Sequence, residues 1–322
     1  MKKLFTSIIV CASALSFAAE VDQFTRRNEY LADSSIIINQ KANDQVQMAI
    51  NNLNAKGSCN EAELYKELRK YFANHSKGEL TKFILHSGEI KLRTMKIQDS
   101  IFKQWKMTDG YLLGKPSANS SALALSPLVR MGDTVIGVDK FEHMFGRGFS
   151  YFTKHYLKGK TVDKAIKSGV FGEKTLYGGN KLATGVFSYA DLSANFNGMR
   201  FWNHILQKSE DVIGDDFGPY IKCNDQKWEQ VKEIDFTHYI DSSMDEAINC
   251  SKFPTKKTAQ KYKDEVKKTI EREGLSNTAT GCPLVNVQNE GFTSKYKNIS
   301  KWIINQEEDR TVSYFNELKA DE

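Results

Sequence analysis

The sequence predicts a mainly α fold with few, short strands. Three observations carry that reading: apolar residues recur at helical spacing along most of the chain, only Asp133 to Val138 reads as a short β-branched run, and four cysteines beyond residue 20 can staple the fold. At 40% hydrophobic and 11% aromatic residues, the 322-residue chain can bury a substantial core, and its length allows one large domain or two smaller ones. A formal charge of +5, from 45 basic and 40 acidic residues spread evenly, lacks the basic stripe of a nucleic-acid binder.

The elements follow in order. Lys2 and Lys3 precede an apolar run from Leu4 to Phe17 that ends in small residues, the pattern of a signal peptide over residues 1–18, with the mature chain starting at Ala19 or Glu20. Such a chain is exported, to the periplasm or beyond, and carries no stable membrane anchor, because no other stretch approaches the ~20 apolar residues of a span. Val46, Ile50 and Leu53 mark one helix. Asn60 and Glu63 resemble a capping box ahead of Leu64, Leu68 and Phe72. Ser117 to Ser121 reads as a loop. Val138, Phe141, Phe145, Phe149 and Phe152 form one apolar stripe, and Thr161 caps a helix carrying Val162, Ala165, Ile166, Gly169 and Val170. Leu192, Phe196, Met199, Trp202 and Ile205 mark the next. Past Gly214 the composition turns polar and Lys-rich, and the basic helix near Thr258 to Glu273, stopped by Gly274, reads as a peripheral, solvated element. The predicted division is residues 1–18 as signal peptide, 19–213 as an α-rich domain and 214–322 as an extension packed on it. In an oxidising compartment Cys59, Cys223, Cys250 and Cys282 form two bridges, for which we favour Cys223 with Cys250 and Cys59 with Cys282.

Three acidic residues are candidates for chemistry. Glu142 lies about 40° from Val138 and about 20° from Phe149 on a helical wheel, against aromatic rings and one turn from Gly146. A carboxyl there has a raised pKa, as a general acid requires, unless it sits in a surface ion pair with Lys140 or Arg147. Glu173 continues the stripe begun by Val162, about 20° away, just before Tyr177, Gly178, Gly179 and Asn180 break the helix. Its alternative is a frayed, exposed helix end. Asp191 follows Ser188 as in a capping box, the favoured role, and also suits a second carboxylate across a cleft. Asp139, His143 and Arg147 share a face at four-residue steps. An Asp and a His alone fall short of the roughly three protein ligands of a catalytic metal site, so a helical salt-bridge stripe is the favoured reading.

The order of Glu173, glycine turn and Gly185-Val186-Phe187-Ser188 before a helix resembles the catalytic segment of the lysozyme superfamily. The run Asp139-Lys140-Phe141-Glu142-His143-Met144-Phe145-Gly146-Arg147-Gly148 resembles secreted lysozyme-like proteins of predatory bacteria that act on deacetylated peptidoglycan. The resemblance covers residues 139–205, about a fifth of the chain. It implies a lysozyme-like α-rich domain and a glycoside hydrolase acting on cell-wall glycan, with Glu142 at the first catalytic position. The family's second glutamate, eleven residues on, is replaced here by Thr153, so Glu173 or Asp191 supplies the second carboxylate, or Thr153 positions a water. His143, Thr153, Tyr189 and Asn195 are the candidate substrate contacts. No metal or other cofactor is expected, the partner is the glycan itself, and the chain is expected to be a monomer. Two other classes stand beside this one: a non-catalytic envelope or wall-binding protein, and a metal-dependent hydrolase using Asp139 and His143.

Overall fold

The computed structural model describes residues 19–307 apart from 58, 121–123, 175–182, 276–280 and 286. The predicted signal peptide therefore lies outside the described residues, as does the Tyr177 to Asn180 break. Helices dominate, and the strands of the described residues form two antiparallel hairpins. In α1 (Ser35–Asn54) the buried positions Ile38, Ala42, Val46, Ala49, Ile50 and Leu53 follow the helical period. Asn60 caps α2 (Glu61–Tyr71) by accepting from the Glu63 amide at 3.1 Å, and α3 (Glu79–His86) completes this layer. After the single turn α4 (Tyr111–Gly114), strand β1 (Leu128–Met131) pairs with β2 (Thr134–Gly137). Gly132, at φ +62°, allows the chain to reverse between them. That hairpin leads directly into α5 (Asp139–Phe145) and α6 (Arg147–Phe152), which runs on through one wider π turn, Thr153–Leu157.

Thr161 caps α7 (Val162–Gly172), accepting from the Lys164 amide as its sequence position predicts. The axis of the fold is α8 (Tyr189–Leu206), in which every residue from Tyr189 to Ile205 is buried. A helix enclosed on all sides that still carries Asp191, Asn195, Asn197, Arg200 and His204 must find partners for each polar group. Arg200, for example, donates to both oxygens of Asp211 at 3.0 and 3.1 Å. The close approach of α5 and α6 to α8 rests on two glycines, since a Cβ on Gly198 would fall 2.2 Å from the Met144 carbonyl oxygen and one on Gly148 would fall 2.6 Å from the Gly198 Cα. Past α8 come β3 (Ile221–Asn224) and β4 (Lys227–Gln230), then α9 (Lys256–Glu273), α10 (Phe292–Tyr296) and α11 (Ser300–Ile303).

One apolar core runs from Ile38 to Ile304 and joins Phe72, Phe145 and Trp202 to Phe236, Tyr239 and Ile303, so residues on both sides of Gly214 fill the same interior. A second cluster holds Phe24, Phe102, Trp105 and Phe253 with Ala259, Tyr262 and Val266 of α9. The expectation that this basic helix is peripheral is corrected: Ala259, Tyr262 and Val266 make a narrow stripe that its lysines conceal in a composition average. No helix among the described residues is long and apolar enough to cross a membrane.

The disulfides are Cys59–Cys223 and Cys250–Cys282, which overturns the favoured pairing. The β3–β4 hairpin docks on the end of α1, where the Asn54 side chain bonds both the amide and the carbonyl of Trp228, and this carries Cys223 to Cys59 at the start of α2. Cys250 and Cys282 flank α9 and close it as one loop. Peptide mapping without reductant is expected to recover these two linked pairs, and alkylation of the chain from Ala19 onward to find no free thiol. Replacing Cys59 and Cys223 by serine is expected to cost about 2–5 kcal/mol in denaturant unfolding.

Candidate functional site

Four segments converge below the start of α8. The β1–β2 hairpin delivers Asp139 to the first turn of α5, where its amide donates to Ser126 Oγ at 3.0 Å. Lys140 follows, completely buried, and its ammonium donates to Asp139 Oδ2 at 2.8 Å, Asp191 Oδ1 at 2.6 Å and Glu246 Oε1 at 2.7 Å. Those three bonds use every proton the ammonium has. One turn beyond Asp139, His143 sets Nε2 at 3.2 Å from Asp191 Oδ2 and Nδ1 at 3.1 Å from Asn195 Oδ1. Asp191 and Asn195 are themselves one turn apart on α8, so two facing helix turns interlock through ion pairs and an amide. Ser188 ties the segments together, accepting from the Asp191 amide at 3.1 Å and donating to Glu246 at 3.0 Å. At the end of α7, Glu173 is 2% exposed, and its Oε2 has no hydrogen-bond partner among the described residues.

Burial penalises every charge here, and the neighbours decide which survive. Burial pulls the Lys140 ammonium down, yet its three carboxylates hold it well above the ordinary lysine value. Burial pushes the Asp191 carboxyl up, but His143 and Lys140 overcome this and keep it well below the usual range. Against burial, Asp191 first and then Glu173 and Asp139 raise His143 to about 9. Glu173 goes the other way from Asp191: burial, reinforced by the Asp191 charge, lifts it to about 8 despite His143 and Arg147. Burial also raises Glu246 to about 7 against the pull of Lys140, and it raises Glu20 well above the carboxylate range together with Glu246 and Asp191. At neutral pH these shifts leave Asp191 ionised and Glu173 protonated.

Asp139, His143 and Asp191 can also each offer a ligand atom, all within 4.8 Å of one another. Asp191 is the third ligand that sequence spacing did not reveal. Three protein ligands suit a catalytic metal site, although a cation here must displace the proton on His143.

The sequence-predicted residues divide clearly. The structure brings Asp191, His143 and Asn195 into contact, and Glu173 lies near enough for its charge to act on His143 and for that of Asp191 to act on it. Glu142 instead pairs with His75 at 2.8 Å, a partner 67 residues away that replaces the expected Lys140 or Arg147. The surface salt-bridge stripe is overturned for Asp139 and His143, both buried, because α5 is covered on its polar face by α8 and the segment around Glu246. Glu173 is likewise no frayed end. The capping role of Asp191 is corrected by half: Ser188 caps the helix, while the Asp191 carboxylate goes to Lys140 and His143. Thr153 Oγ1 donates to the Phe149 carbonyl at 2.9 Å within its own helix. Tyr189 is buried edge-on against Phe187, with ring centroids 5.1 Å apart. Lys140, Glu246 and Glu20 were missed. Lys140 had a signal, since it lies three residues before His143 and about 60° from it on the wheel, but Glu246 lies in a segment without periodicity.

The raised groups make stability pH-dependent with one sign. Glu173, Glu246 and His143 keep protons in the folded state that the unfolded chain releases earlier, so their contribution is complete below the unfolded values and is lost as pH rises through about 8, 7 and 9 respectively. Thermal unfolding in chelator is therefore expected to show the melting temperature falling from pH 6 to pH 9, and His143→Gln to flatten the upper part of that fall; a rise over the interval would contradict these assignments. No family model, curated protein or solved structure matches the chain.

Proposed function

We propose that the protein is an exported glycoside hydrolase of lysozyme type that cleaves cell-wall peptidoglycan, with the deacetylated glycan as its preferred form. The observation that carries this reading is Glu173, a buried carboxyl held protonated to about pH 8 beside the ionised Asp191. Glycoside hydrolysis uses such a pair: one carboxylic acid protonates the departing glycosidic oxygen, while a carboxylate stabilises the oxocarbenium-like transition state or activates water. Glu173 takes the first role and Asp191 the second. Lys140 and His143, the latter held in turn by Asn195, fix Asp191 in place and keep it ionised.

A second reading is favoured by one observation, the proximity of Asp139, His143 and Asp191. In it these residues hold a divalent cation that polarises the scissile bond and activates water, and Glu173 moves the proton. Release of soluble fragments from purified sacculi, acetylated and chemically deacetylated, before and after exhaustive chelation, separates the classes. Undiminished cleavage after chelation, faster on deacetylated sacculi, is the expected result. Cleavage lost on chelation and restored by zinc selects the metal-dependent hydrolase. Absence of cleavage from every preparation, with retention on sacculi, selects a wall-binding protein.

A further inference from the structure

A cavity of about 190 Å³ opens between the β1–β2 hairpin and the segment around Asp245. Arg27 and Arg93 line it together with Thr134, and Leu128, Val135 and Ile248 supply its apolar side. The two guanidiniums are not equivalent. Arg27 is matched by Asp245, with its Nη2 at 2.7 Å from Oδ2. Arg93 is 7% exposed, donates to the Glu29 carbonyl and forms no ion pair among the described residues. Its backbone is locked in place, because Arg93 and Leu128 exchange reciprocal N–H···O bonds of 2.9 Å. Burial, with Arg26 and Arg27 close by, holds Arg93 below the ordinary arginine value despite the nearby charge of Glu29, so a further negative charge arriving at this wall relieves a remaining cost.

We infer that this cavity binds the free carboxylate of a small apolar amino-acid residue, either as a free amino acid or at the end of a short peptide. Arg93 makes no ion-pair contact among the described residues and so can accept one further negative charge, and its planar fork suits a carboxylate. The volume is somewhat above the ~150 Å³ of a cavity that holds benzene, which limits the body of the ligand to roughly the size of alanine or valine. The apolar side then covers a methyl-sized side chain. A dianion such as phosphate would leave that apolar side without contacts. The site is separate from the Lys140 cluster, so the inference does not depend on the hydrolase reading.

Amide NMR titrations of the mature chain with alanine, alanylalanine and inorganic phosphate test it. Saturable shifts around Arg93 and the β1–β2 hairpin are expected with alanylalanine. Similar shifts with alanine identify a free amino acid as a ligand, and shifts with the dipeptide alone identify a peptide end. Arg93→Gln is expected to weaken binding at least tenfold and Arg93→Lys less. Should Arg93→Gln disturb the spectrum of the whole fold, Thr134→Trp, which fills the cavity from the hairpin, provides the same test. No saturable shift with either alanine ligand, unchanged affinity in the variants, or phosphate binding as tightly as alanylalanine would overturn the inference. Glu173→Gln is expected to leave this binding unchanged, so a failure here and a failure of glycan cleavage read out separately.

Discussion

Glu173→Gln is expected to keep the protein folded and to lower glycan cleavage by at least about 100-fold, since a positioned general acid contributes about 10²–10⁴-fold. Glutamine has nearly the shape of the protonated carboxyl and keeps a donor and an acceptor, but it has no proton to deliver. At neutral pH Glu173 is already uncharged, because burial and the Asp191 charge raise it to about 8, so the substitution changes little of the electrostatic balance around it. The melting temperature should therefore stay close to that of the parent while the rate collapses. A structural carboxyl would show the reverse. Glu142→Gln is the informative companion, because the family resemblance places a catalytic glutamate at that position whereas the structure gives Glu142 to His75. Full activity in Glu142→Gln with loss in Glu173→Gln fits the geometry. Loss only in Glu142→Gln would restore the assignment implied by the resemblance, and full activity in both would end the two-carboxylate mechanism.

The mainly α fold was legible because helices write their period locally. Val46, Ile50 and Leu53, or Leu192, Phe196 and Met199, announce a buried stripe whatever lies opposite. Glu173 was legible by the same rule, as a carboxylate continuing an apolar stripe. The rule failed where a helix has no solvent face. For α5 the wheel separates an aromatic side from a charged side and treats the charged side as wet, but α8 and the segment around Glu246 cover it, so Asp139, Lys140 and His143 became an internal network. Spacing along one helix cannot reveal that Asp191, 51 residues from Lys140, and Glu246, 106 residues away, complete the constellation. The disulfide pairing failed for a related reason. With three connectivities open to four cysteines, the choice depends on which elements touch, and the docking of the β3–β4 hairpin against α1 was not encoded in any local pattern.

Lys140→Met is expected to be the most destabilising single change at the site, costing about 3–5 kcal/mol, the usual penalty for removing one partner of a buried ion pair. Methionine fills much of the volume of the lysine stem, so the loss comes from the charge and not from a cavity. Without the ammonium, Asp139, Asp191 and Glu246 face one another uncompensated, with Ser188 left as a donor to Glu246. His143 remains as counter-charge for Asp191 alone among these three by direct contact. Against a typical total stability of about 5–15 kcal/mol such a loss is large, and for a chain of this size it corresponds to a fall in melting temperature of about 5–8 °C. The sign of its pH dependence separates charge from packing. Acidification protonates the orphaned carboxylates and removes their repulsion, so the gap between variant and parent should narrow at pH 5 and widen at pH 8. Adding Glu246→Gln to Lys140→Met should recover part of the loss at pH 8, where Glu246 begins to ionise against its neighbours. By contrast, Lys82→Met on α3, whose pairing with Glu79 is exposed to solvent, should change stability by no more than about 0.5 kcal/mol. A Lys140→Met variant as stable as the parent at pH 8 would show that the ammonium does not hold these carboxylates together.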